Sequence, residues 1–89
     1  FWELGEQLRR AALSVCLNIA EGSAKYSDKD FHRFLEIAQG SITEALACCD
    51  IAKDHQLIQK SQFNHLSDLG TSIAKQIGGF SKKIRETKR

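Results

Sequence analysis

Arg9, Arg10, Asn18 and Glu21 are the polar residues of a stretch, 7–22, that otherwise reads as apolar helix. Polar groups in such a setting cost free energy unless they find partners. Adjacent arginines can hold phosphates, one set per subunit of an assembly. The alternative is a structural network in which Glu21 or Glu44 fixes helix and subunit register. Desolvated arginine wants a carboxylate nearby, which favours the network. Glu6 stands four residues before Arg10, a spacing that also favours an intrahelical pair. Glu21, at a helix C-terminus, opposes the helix dipole and calls for a partner cation or a neighbouring helix N-terminus. As a general base it would need a nucleophile, a metal cluster or a second activated carboxylate, and none accompanies it. These residues predict structure rather than catalysis.

Metal chemistry is poorly provided for. His32 and Glu36 are four apart, a spacing that can hold a metal, but two ligands are too few, and His55 and His65 lie at or beyond the next turn. A solvated pair is the expectation. Cys16, Cys48 and Cys49 lack the spaced-thiol pattern of a zinc site, and three cysteines cannot all pair within one chain. They read as small buried hydrophobes in a reducing cytoplasm. No metal and no cofactor is expected.

Charge offers more. The formal net charge of +2 is close to neutral, yet residues 82–89 carry five cations against one anion, while 36–54 is acidic on balance. Lys82, Lys83, Arg85, Lys88 and Arg89 form a basic tail suited to phosphates. Lys25, Lys29 and Arg33 form a second cluster with Tyr26, whose ring can stack on a base. Alternatively, this second group is a solvated loop in which Asp28 and Asp30 offset Lys29. The tail would also suit an anionic membrane surface, but it is short and has no aromatic anchor beyond Phe80. No apolar run is long enough to cross a bilayer.

The elements that must position these groups are helices. Eighty-nine residues without proline and with six glycines make one domain, 1–89. Leu4, Leu8, Ala11, Val15 and Ile19 form an apolar stripe on a first helix over about 3–21, with Leu13, Leu17 and Ala20 in a second stripe beside it. Gly22 is the expected left-handed stop. After a short connection, capped by Ser27 or Asp28, a second helix spans about 29–55. Its stripe of Phe31, Leu35, Ala38, Ile42, Ala45, Cys49 and Ala52 alternates fours and threes and predicts near-antiparallel packing. Gly40 beside Ser41, mid-helix, costs about 1 kcal/mol against alanine, and close approach of another helix backbone is the simplest compensation. A third helix spans about 61–83 with Leu66, Leu69, Ile73, Ile77, Phe80 and Ile84 inward, and Gly78-Gly79 predicts fraying of the basic tail. Three helices cannot cover the second apolar faces. The expectation is both a fourth helix preceding Phe1 and association between subunits.

The same residues resemble a bacterial four-helix-bundle family, the proteins encoded in intervening sequences of 23S ribosomal RNA genes. The likeness is carried by residues 7–12, by Ser14 with Asn18-Ile19-Ala20-Glu21-Gly22, by Phe31 with Phe34-Leu35, and by residues 37–42 with Glu44. The family usually has proline where this chain has Cys16, which puts a bend in the first helix in doubt. The resemblance implies an all-α, antiparallel up-and-down four-helix bundle. It places three helices in this chain and the family's first helix upstream of Phe1. It also implies a homopentameric barrel. The accessory variability determinant of diversity-generating retroelements is similar, and through it the resemblance implies nucleic-acid binding beside a reverse transcriptase. The resulting expectation is a non-enzymatic cytoplasmic adaptor for structured RNA or DNA, with Arg9, Arg10, Asn18, Glu21, Gly22, Gly40, Ser41 and Glu44 holding the assembly. A structural protein–protein interaction module is the alternative.

Overall fold

The structure is a computed structural model that describes residues 1–87. Three helices account for nearly all of it: α1 (Trp2–Ser23), α2 (Asp28–Asp54) and α3 (Lys60–Thr87), with no strand among the described residues. The Ser27 side chain caps α2 by accepting from the Asp30 N–H at 3.1 Å, with Asp28 and Asp30 in the favourable first turn. α3 begins with half of a capping box, the Gln62 side chain accepting from the Gln59 N–H at 2.8 Å. α1 is continuous through Cys16.

The two hairpins run antiparallel and share α2. α1 and α3 each pack on α2, and no Cα of α1 lies within 8 Å of a Cα of α3. The Cα trace measures 48 × 22 × 12 Å, more than twice as thick as a flat row of helix backbones, so α1 and α3 flank α2 as an open corner rather than a closed bundle. Stable domains bury an apolar face between two layers. This one has a core along α2 only: Leu35, Ala38 and Ile42, joined by Ile77 and Ile84 of α3, with Val15, Ile19 and Phe31 packed against them. The stripe of fours and threes on α2 is thus the spine of the molecule.

One expectation about glycine needs correcting. Gly22 is not a left-handed stop: α1 runs through it, no glycine has positive φ, and the cap is Ala24 at φ −86°. Its role is steric, because a Cβ there would lie 2.8 Å from Phe34 Cβ and 2.9 Å from Phe31 Cδ1. Within the chain nothing lies within 4 Å of where a Gly40 Cβ would be, so any helix that approaches there belongs to another subunit. α3 is unbroken at Gly78-Gly79 and continues to Thr87. Two helical glycines cost about 1 kcal/mol each, and burial of Ile77 and Ile84 on either side returns about 1.5–3 kcal/mol apiece.

Candidate functional site

The polar residues of α1 meet α2 along one seam. Gln7 Nε2 donates to Glu44 Oε1 at 2.7 Å near one end, and the Ser14 and Ser41 hydroxyls bond at 2.7 Å near the middle. Asn18 Nδ2 donates to the Ser14 carbonyl at 2.8 Å and to its Oγ at 3.0 Å. Gln39 ties the other hairpin by donating to the Ala74 carbonyl at 3.0 Å. Such pairs stabilise little individually, but shifting the helices by one turn would strand the half-buried ones, Ser14–Ser41 and Gln39–Ala74, so these fix register. The exposed Gln7–Glu44 pair would instead return to water. Gln7 and Gln39 lie within the stretches that carry the family likeness, but the sequence assigns neither to the network. Their further signal is a glutamine at the border of each apolar stripe.

Arg9 and Arg10 do not reach Glu21 or Glu44 within the chain. Both arginines turn to Glu6, Arg9 Nη2 at 2.9 Å and Arg10 Nε at 3.9 Å, because positions three and four apart on one helix are neighbours. Glu44 is held by Gln7, and Glu21 finds its cation in Lys25, 3.3 Å away. The arginine side chains stay 69% and 72% exposed, so these pairs add little stability. His32 Nδ1 lies 2.8 Å from Glu36 Oε1, an isolated pair. Among the described residues no group of three or more His, Cys, Asp or Glu is placed to hold a metal ion.

Two apolar surfaces remain uncovered. On one side a trough of about 310 Å³ runs between α1 and α3 over α2, lined by Val15 and Cys16, by Ile42 and Cys49, and by Leu69 and Ile73 among others. Ile73 also lines a second depression of about 230 Å³, bounded by Ile19, Phe31 and Phe80, so the two are continuous. Outside both depressions, Leu13 and Leu17 of α1 are 57% and 58% exposed, and Ile37 and Ile51 of α2 are also exposed. Cys48 and Cys49 are buried as expected, but Cys16 is exposed in the trough. Burial, with a smaller contribution from neighbouring Cys48, raises the Cys49 thiol above its ordinary value of 9.0.

Both ends of the molecule carry both signs of charge, and cations gather at one of them alongside Glu21, Asp28 and Asp30. Antiparallel order puts the end of α1, the start of α2 and the end of α3 together. Phe31 fastens this end by packing edge-on against Phe80, ring centres 5.3 Å apart. Lys25, Lys29 and Arg33 therefore share one end of the molecule with Lys82, Lys83 and Arg85. Lys25 Nζ and the Arg33 guanidinium both lie over the Phe34 ring, 5.1 and 5.3 Å from its centre. Lys88 and Arg89 lie outside the described residues. The opposite end carries Glu3, Asp50 and Asp54. There Lys53 bridges Asp50 at 3.0 Å and covers the Phe63 ring at 4.4 Å. Its hydrogen bond with Asp50 raises the Lys53 ammonium above 10.5 against the opposing effect of desolvation.

No helix among the described residues is long and apolar enough to cross a membrane. No curated protein and no solved structure matches the chain at a significant level. The family described as 23S rRNA-intervening sequence protein matches residues 2–79. A match over most of the chain, on the helices and the polar seam just described, makes this protein a member of the 23S rRNA-intervening sequence protein family.

Proposed function

We propose that the chain is a non-enzymatic, self-associating helical-bundle protein of the cytoplasm that binds structured RNA or DNA, as an accessory to an enzyme such as a reverse transcriptase. One observation carries the nucleic-acid half. Lys25, Lys29 and Arg33 are some fifty residues from Lys82, Lys83 and Arg85, yet antiparallel packing gathers all six at one end. Apart, each cluster is a feeble potential. Together, and repeated around an oligomer, they form a basic surface whose phosphate contacts add.

The assembly half rests on the uncovered faces. A fourth helix N-terminal to Phe1 fills the trough between α1 and α3 and closes the bundle. Leu13, Leu17, Ile37 and Ile51 then meet other copies, five in all as the family resemblance implies. Gly40, open in the single chain, lets a neighbouring helix backbone come close, and Arg9 and Arg10 exchange Glu6 for carboxylates of the adjoining subunit.

The reading is tested by mobility shift against a folded RNA hairpin, with sedimentation of the same samples. The triple variant K82E/K83E/R85E binds more weakly. Its log affinity also falls less steeply with log salt, the slope shrinking by about 0.9 for every duplex phosphate that is no longer neutralised. Unchanged binding overturns the nucleic-acid assignment. A compact monomer at micromolar concentration overturns self-association. The long apolar trough favours a second reading, a module that docks a helix of another protein. In that case the charge reversals leave partner capture untouched.

A further inference from the structure

The connection between α1 and α2 holds a feature that phosphate binding alone does not use. Tyr26 has a relative exposure of 108%, the highest of any large hydrophobic residue described, so its ring packs on nothing in the chain. The backbone around it is nonetheless fixed. The N–H groups of Ala24 and Lys25 donate to the Glu21 and Gly22 carbonyls at 3.2 and 3.1 Å. On the other side, Ser27 is held extended at φ −100°, ψ 143° as the cap of α2. A naked aromatic ring is thus presented on an anchored turn.

Cations flank it, with Asp28 and Asp30 on either side of Lys29. Lys25 precedes it, Lys29 follows three residues on, and Arg33 shares the Phe34 ring with Lys25. Two like charges over one ring lie within about one Debye length of each other, roughly 10 Å at 0.1 M salt, and repel. Glu21 relieves this only through an exposed contact to Lys25, the kind an incoming anion displaces readily.

We infer, resting on the nucleic-acid reading above, that this end of the molecule takes unpaired nucleotides. A base stacks on Tyr26, and the flanking phosphates sit on Lys25, Lys29 and Arg33. In a duplex every base face is covered by its neighbours, so an aromatic side chain gains nothing there beyond backbone contact. In a single strand or a loop the π-face is open, and stacking on it discriminates little between bases.

The test compares the full chain and its variants on two probes, a short oligothymidylate single strand and a blunt DNA duplex of equal length, by fluorescence anisotropy. In Y26A, affinity for the single strand falls about tenfold with an unchanged salt slope, whereas duplex affinity holds. Y26F, which keeps the ring, binds as the parent does. K29E weakens both probes. Equal weakening on both probes in Y26A, or full retention of the single strand, overturns the inference while duplex binding leaves the broader reading standing. Failure of the parent chain to bind either probe overturns the inference, and failure on the RNA hairpin as well overturns both.

Discussion

A methyl group added at Gly22 would meet Phe34 Cβ at 2.8 Å, where a side-chain root fixed to the α2 backbone cannot yield. Helical glycine to alanine ordinarily gains about 1 kcal/mol, but here overpacking costs about 1–3 kcal/mol and reverses the sign. Gly40 has open space around it, so G40A keeps the ordinary gain of about 1 kcal/mol in the single chain. Urea denaturation of G22A should therefore lower the midpoint, while G40A should raise it for the dissociated chain and lower it for an assembly in which a neighbouring helix packs on Gly40. Gly70 is intermediate: its added methyl meets the tip of Leu46, 2.9 Å away, which can turn aside. Sequence alone does not separate these residues. A glycine announces that a Cβ is missing and is silent on whether backbone angle, close packing or neither is the reason.

Helix existence was legible, and so was the facing of α2, because strict threes and fours admit few alternatives and Leu35, Ala38, Ile42 and Cys49 are all buried. On α3 only Ile77 and Ile84 of the expected stripe are buried, while Leu66, Leu69, Ile73 and Phe80 stay exposed. Helix ends were less legible. At the end of α2 the Gln56 N–H donates to the Lys53 carbonyl at 2.9 Å and the Leu57 N–H to the Ala52 carbonyl at 2.8 Å, a Schellman stop. This stop puts Gln56 at φ 60°, where a Cβ is strained. No glycine marks the position, so although the spacing puts the helix end near residue 55, within one residue of the observed cap, its left-handed residue was not legible. Replacing Gln56 with glycine relieves about 1 kcal/mol, offset only in part by the greater freedom of the unfolded chain, and should raise the melting temperature by a few degrees. An unchanged or lower value would show that the strain is compensated locally. The arginine pair departs from expectation for a related reason. Spacing reveals partners on one helix, here Glu6, while partners on another depend on which residues the fold brings opposite.

At the scale of the whole molecule, the surplus of apolar stripes correctly announced more surface than one chain hides. It did not announce that the surplus would fall both inside the open corner and on its outer faces. Cys16 reports on one of those sides. Exposed in the trough, it should react with a maleimide at neutral pH in the folded chain, whereas buried Cys48 and Cys49 are spared until denaturant is added. The raised Cys49 thiol adds to that protection. Mass spectrometry of the labelled chain reads the difference, and equal labelling of all three thiols would mean the α1–α2 hairpin opens readily.

The same open corner makes the outer helices unequal to the middle one. With no backbone contact between α1 and α3, each hangs on α2 like a door on a shared post, and the two meet only through the side chains of one cluster. An injury to either outer helix loosens that cluster but leaves its opposite number hung on α2. A proline in the centre of α2 takes down both at once.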